Sequence, residues 1–365
     1  MVLVRDIIGA IEEIAPLSFQ EDYDNAGLIT GDKSWECTGA LLSLDCVESV
    51  IEEAIKLKCN LIIAHHPIVF KGLKKITGSN YVERTIIKAI KNDIAIYACH
   101  TNIDNVQNGV NAKIAEKLGL QNTKILAPKS SLLKKLVVFV PASHVDLVRE
   151  AVFAAGAGNI GNYSNCSFNT NGIGTFKGNG ESKPFLGKQN ELSKEEEVKI
   201  ECVFESHLEN GIIGAMLKAH PYEEVAYDIL AMANKHKCVG SGLIGELPAE
   251  MAEMDYLQLV KERFNIKTLK HTVLTNKKVK KVAVCGGSGA FLLKNAINSG
   301  ADSYISGDFK YHEYFDAEGK ILVADIGHYE SEQYTPEIFY GIIQKKFAKF
   351  ALHLSKTNTN PVNYF

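Results

Sequence analysis

Short apolar, β-branched runs alternate with amphipathic stretches along the first third of the chain. The run at 39–45 (GALLSLD) reads as a buried strand, and Val47 to Lys58 has helical spacing. Asn60 to Ala64 is a second strand, Tyr81 to Lys91 a helix, Ile94 to Ala98 a strand and Asn108 to Leu118 a helix. Fully apolar strands separated by amphipathic helices predict βαβ units on a parallel sheet. The last quarter repeats the pattern. Strands are expected at 281–287 (KVAVCGG), 303–307 (SYISG) and 321–325 (ILVAD), with helices at Ala290 to Ser299, over DFKYHEYFDAEG, and from Pro336 to Phe350. The two halves echo each other, and we read them as an internal duplication.

The middle differs. KKLVVFVP is a strand, and VDLVREAVFAAGAG is a helix ending on glycine. A strand–turn–strand follows, then the strand KIECVFES. GIIGAMLKAHPYEEVAYDIL carries helical spacing interrupted at Pro221, and GNGESKPFLGKQNELSKEEE reads as a loop. The order βαββαβ predicts a ferredoxin-like module. The expected fold is therefore a three-layer α/β core built from two βα-repeat halves, 1–128 and 246–365, with an inserted α+β domain at 129–245.

Composition narrows the function classes. The chain has 365 residues, 46% of them hydrophobic, with 40 Lys and Arg against 43 Asp and Glu. No basic excess points to nucleic acid or an anionic membrane. Asp6, Glu12 and Glu13 interrupt the N-terminal apolar stretch, so no signal peptide is expected. No apolar run reaches the roughly 18 residues of a membrane span, and a cytoplasmic protein is the expectation. The 8 cysteines form no C-x-x-C pair and read as small buried hydrophobes.

Chemistry gathers where strands end. His65 and His66 follow NLIIA, His100 and Asp104 follow the next strand in ACHTNID, and His328 and Glu332 lie in DIGHYESE, four apart on one helical face. Neighbouring residues in extended chain point to opposite sides, so the histidine doublet suits two neighbouring ions better than one. Each cluster alone has a plainer reading, as a capping pair, an Asx turn or a solvated helix start. Together they offer three imidazoles and two carboxylates at strand carboxyl ends, where open α/β sheets build sites. That set predicts two divalent ions, Zn, Mn, Fe or Co, with Asp104 and Glu332 as bridges. His100 and His312 are the nearest candidate proton carriers. Three further motifs read more plainly as structure: GGSG at 286–289 as a βα turn with a phosphate contact as its alternative, DNAGL at 24–28 as a turn with a place lining the site as its alternative, and HPYEE at 220–224 as a helix entry with a small-ligand contact by His220 and the two glutamates as its alternative.

DNAGL, LIIAHHP, ACHTNIDNVQNGVN, HPYEEVAYD, GLIGEL, VCGGSG, SGDFKYHE and DIGHYESE, spread along nearly the whole chain, resemble the Nif-three-like family, also called GTP cyclohydrolase I type 2 homologs. The resemblance implies a homohexameric ring or cage, and a dimetal centre whose ligands map onto His65, His66, Asp104, His328 and Glu332. It places His100 beside that centre, and it matches residues 130–245 to an inserted domain like the trimeric nitrogen-regulator and copper-tolerance modules. The implied activity is metal-dependent hydrolysis of a nucleotide or phosphoester. A regulatory metal-binding protein without catalysis and a metal carrier are the alternatives.

Overall fold

The computed structural model describes residues 1–364. The chain divides into two compact units: unit 1 takes Met1–Pro128 and Cys238 onward, and unit 2 takes Lys129–Lys237.

Unit 1 contains two sheets. The first has five strands in the order Gly27–Thr30, Ala95–Ala98, Leu61–Ala64, Ala40–Ser43 and Leu352–Leu354. The last four run parallel, and Gly27–Thr30 is an antiparallel edge. Every residue of the three central strands is buried, which is why they read as unbroken apolar runs. The helices Glu48–Leu57 and Tyr81–Lys91 cover one face through Val50, Ile51, Ala54, Ile86 and Ala89. The second sheet has six strands in the order Lys270–His271, Leu322–Asp325, Ser303–Gly307, Lys278–Ser288, Gly240–Ala252 and Gln121–Pro128. Its Lys278–Ser288, Ser303–Gly307 and Leu322–Asp325 strands are parallel, and the rest pair antiparallel. The first sheet thus holds four consecutive parallel strands and the second three.

Several boundaries differ from the sequence reading. The C-terminal helix runs Thr335–Lys346 and stops before Phe350, because the chain turns to add Leu352–Leu354 to the first sheet. A three-residue edge strand is too short for alternation to reveal it. The segment after Gly289 is a 3-10 turn, Ala290–Leu292, leading into a short helix, Leu293–Asn298.

A buried carboxylate sets the start of Tyr81–Lys91. Glu83 accepts from the Thr77 and Ser79 amides at 2.8 and 3.0 Å, from both hydroxyls, and from Asn80 Nδ2. Those amide bonds hold its carboxyl down at about 2. A depressed pKa stabilises the fold fully above the ordinary carboxylate value, and the contribution is lost as pH falls toward 2. Glu83→Gln is therefore expected to lower the denaturation midpoint at pH 7. The gap from wild type should shrink steadily between pH ~4.5 and ~2. A gap that stays constant with pH would refute this role.

Unit 2 has four antiparallel strands in the order Phe168–Phe176, Ser193–Glu205, Leu133–Pro141 and Tyr227–Ala231. The helices Val145–Ala154 and Glu209–Ala219 pack on one face of this sheet through Val148, Val152, Ile212 and Met216, against Leu136, Val138, Val140, Ile200 and Cys202. Alternate residues, Phe139, Glu197 and Lys199 among them, stand on the helix-free face. AYDIL, read as helical, is a strand instead: Tyr227–Ala231 pairs with Leu133–Pro141, and the helix ends at Ala219 before Pro221. SKEEE, read as loop, opens the strand Ser193–Glu205.

Candidate metal centre

The two sets of parallel strands in unit 1 deliver their carboxyl ends to one cluster. From the first sheet come Asp45, His65, His66, His100 and Asp104, and from the second come Gly286, Gly287, Asp308, His328 and Glu332. His328 and Glu332 form one turn of helix, His328–Glu332, which starts at Gly327 with φ +93°.

Each imidazole is fixed at the ring nitrogen facing away from the cluster. His66 Nδ1 meets Asp45 at 2.7 Å, His100 Nδ1 meets Asp24 at 2.7 Å, and His328 Nδ1 meets Asp308 at 2.7 Å. His65 Nδ1 meets the Cys99 carbonyl at 2.9 Å. A carbonyl and an ionised carboxylate only accept, so each Nδ1 carries a hydrogen and each Nε2 is the ring atom left to meet a cation. That tautomer is the one needed to bind a cation.

The inward atoms fall into two sets around Glu332. Its Oε2 lies 3.0 Å from His66 Nε2 and 3.1 Å from His328 Nε2. Its Oε1 lies 3.7 Å from His65 Nε2, which is also 3.7 Å from Asp104 Oδ1. Three groups of potential ligand atoms result: His66, His328 and Glu332; His65, Asp104 and Glu332; and His65, His66 and His100. Donors on one tetrahedral ion at about 2.0–2.2 Å are separated by roughly 3.3–3.6 Å, and these gaps of 3.0 to 3.7 Å lie within about 0.3 Å of that range. His66 Nε2 and His328 Nε2 face each other at 3.3 Å, an arrangement that two lone pairs avoid unless a proton or a metal ion lies between them. His65 Nε2 and Asp104 Oδ1 are buried and make no hydrogen bond. Orphaned polar atoms of this kind are costly in a folded interior. The donor set therefore fits divalent metal.

Charges follow the same geometry. Burial opposes charging of His66, but its bonds to Asp45 and Glu332 outweigh burial and raise it to about 10. His328 is raised to about 9 against burial, by Glu332 and then Asp308. Burial and the neighbouring Glu332 hold Asp104 above the usual carboxylate range. Burial also disfavours charge on Glu332, yet His65, His328 and His66 hold it well below that range.

Glycines make room for this packing. A Cβ on Gly287 would lie 2.4 Å from Glu332 Oε1, and the residue has φ +61°. The Gly286 amide donates to Asn111 Oδ1 and the Gly287 amide to Ser331 Oγ, both at 2.9 Å. These two amides of the GGSG turn are thus committed within the protein, which removes them from the phosphate contact held open above. A cavity of about 210 Å³ adjoins the cluster, lined by His100, Asp104, His328 and Glu332, with Tyr23 and Phe291 also on its wall.

The structure thus brings His65, His66, Asp104, His328 and Glu332 together and places His100 beside them. His312 is exposed, stacks against Tyr311 and Phe315, and lies outside all three ligand groups. The sequence reading names DNAGL and SGD but chooses none of Asp24, Asp45 and Asp308 as a site residue. Asp24, in DNAGL, is more than a turn residue, since it holds His100 and accepts from the Thr101 amide at 3.0 Å. The sequence signal of Asp45 and Asp308 is an aspartate just beyond a strand end, in SLD and SGD.

Among the described residues no helix is long and apolar enough to cross a membrane. A family model described as Duf34/NIF3 (NGG1p interacting factor 3) matches residues 2–361. A Halalkalibacterium halodurans protein named GTP cyclohydrolase 1 type 2 homolog is 43% identical over 327 residues, 89% of this chain and 88% of its own. A Bacillus subtilis protein of the same name is 40% identical over 366 aligned positions, covering 99% and 98% of the two chains. The crystal structure of a Bacillus cereus protein related to NIF3 superposes with TM-score 0.86 at 39% identity, covering 100% of this chain and 99% of that one. The fold and the sequence agree over nearly the full length, and the chain belongs to the Duf34/NIF3 family.

Proposed function

We propose that this chain holds two divalent metal ions in unit 1 and is a metal-dependent hydrolase acting on a nucleotide or phosphoester. The observation that carries this reading is Glu332, whose two carboxylate oxygens face different donor sets beside an open cavity. One ion would be held by His66, His328 and Glu332, the other by His65, Asp104 and Glu332. Bound divalent ions act as Lewis acids and acidify water. His100, oriented by Asp24 and lining the cavity, would hold or pass a proton at its Nε2. Nothing in its surroundings supports the same role for His312. The name shared by the bacterial relatives supports a nucleotide substrate. A cavity of about 210 Å³ is smaller than the roughly 300–1,000 Å³ of whole-ligand pockets, so only the reacting part of a nucleotide would enter it.

The test is a panel of nucleotides and phosphoesters offered to protein loaded with Mn, Zn, Fe or Co. Turnover of at least one compound, lost in His66→Ala, is expected. No turnover above that control would sink the catalytic reading and leave the regulatory one, which the separate cavity in unit 2 favours. The Nδ1 anchors argue against a carrier that exchanges its metal readily. A homohexamer, and an inserted ferredoxin-like domain within 129–245, belong to the same proposal, and native mass measurement tests the first.

The anchors give a separate expectation. Asp45→Asn keeps the shape but replaces the carboxylate that orients His66 with an amide. Metal affinity should fall roughly 10–100-fold, read by competition with a chromophoric chelator. Unchanged affinity would mean that Asp45 does not serve the site.

A further inference from the structure

Unit 2 carries a cavity of its own, about 970 Å³, on the helix-free face of its sheet and under the loop 177–192. Its floor is made by glycine. Gly172 and Gly174 sit opposite Glu197 and Glu195 in the register. A Cβ on Gly172 would meet nothing within 4 Å, so the absence of a side chain there leaves open volume. Its wall is aromatic: Phe176 and Phe185 stand 6.2 and 6.4 Å from Tyr222, centroid to centroid. Tyr222 Oη donates to Glu197 Oε1 at 2.9 Å, which fixes that carboxylate against the rings.

The charge of the lining selects the ligand. Four carboxylates, Glu181, Glu197, Glu223 and Glu224, outnumber two lysines, Lys177 and Lys199. Lys199 is held by Glu201 at 3.0 Å. Aromatic faces attract cations through their quadrupole, and carboxylates do so by charge. A phosphate or carboxylate ligand would meet like charge on most of this surface. The volume falls in the range of small-molecule sites. We infer that unit 2 binds a small organic ammonium ion, with the ammonium group beside Glu197 and facing the Phe176, Phe185 and Tyr222 rings. This site is separate from the metal cluster, whose ligands all belong to unit 1, and it does not depend on the proposed catalysis.

Calorimetric titration of the full chain with choline and with phenethylammonium tests it, using ATP and benzoate as anionic counterparts. Saturable binding of at least one cation and of neither anion is expected. Glu197→Gln should weaken it about tenfold. Gly172→Leu, which fills the open floor, should abolish it. Both variants should keep wild-type metal content and melting temperature, which shows that they fold. Preference for ATP or benzoate would overturn the inference, as would cation binding that survives Gly172→Leu, or no cation binding at all. Absent cation binding with a changed oligomeric mass in Gly172→Leu would show the face covered by a second copy instead, and would overturn it too.

Discussion

A Glu332→Ala chain is expected to bind divalent metal more than about 100-fold more weakly than wild type, beyond the roughly 10–100-fold typical of partners that only orient a ligand. Glu332 is the one side chain shared by both donor sets, 3.0 Å from His66, 3.1 Å from His328 and 3.7 Å from His65. Its removal takes a ligand from each ion at once. It also removes the buried negative charge that helps raise His66 to about 10 and His328 to about 9 against the cost of burial. The two Nε2 atoms, 3.3 Å apart, would then face each other without the Glu332 carboxylate beside them. Elemental analysis of protein purified without added metal should show the loss, and a chelator competition should give its size. Wild-type content in the variant would mean that the ions, if present, lie elsewhere.

Gly109→Ala is expected to destabilise the fold by at least the about 1–3 kcal/mol that overpacking costs, and to weaken metal binding as well. A Cβ at position 109 would stand 1.7 Å from the Ile103 carbonyl oxygen and 2.9 Å from its carbon. Both are backbone atoms, so no side chain can swing away to relieve the clash. The turn that must move carries Asp104. It is tied by the Gly109 amide to the Val106 carbonyl at 3.0 Å, and by Asn111 Nδ2 to the Asp104 carbonyl at 2.9 Å. Asn111 also accepts from the Gly286 amide, so the disturbance reaches the strand end behind Glu332. Gly72→Ala is the control: a Cβ there would meet nothing within 4 Å, and such surface changes stay within about 0.5 kcal/mol. Thermal melts should separate the two variants by several degrees. Equal melting temperatures would contradict the steric argument.

What was legible in the sequence is what local pattern encodes. Ala40–Ser43, Leu61–Ala64 and Ala95–Ala98 are buried at every residue, so their apolar runs announced them. The histidine doublet and the His328–Glu332 turn stood out because imidazoles and acids gathered where such strands stop. The aspartates that orient the imidazoles did not stand out. Asp24 lies 76 residues from His100, Asp45 21 from His66, and Asp308 20 from His328. A carboxylate bonding to an Nδ1 across that distance leaves no periodic trace. The role of Gly287 is silent for a related reason: its lack of a side chain matters only because Glu332, brought in on the helical turn His328–Glu332, fills that space. Leu352–Leu354 is a strand by virtue of its partner Ala40–Ser43, and its own three residues carry too little pattern to show it.

The central claim is that distant segments of unit 1 close around a pair of cations. Crystals of protein purified without a chelator, measured on both sides of the absorption edge of the metal found by elemental analysis, test it most directly. Two anomalous peaks about 3.5–4 Å apart are expected, one beside His66 and His328, the other beside His65 and Asp104, with Glu332 between them. A single peak, or none within bonding distance of Glu332 in crystals grown with Mn, Zn, Fe or Co present, would contradict it.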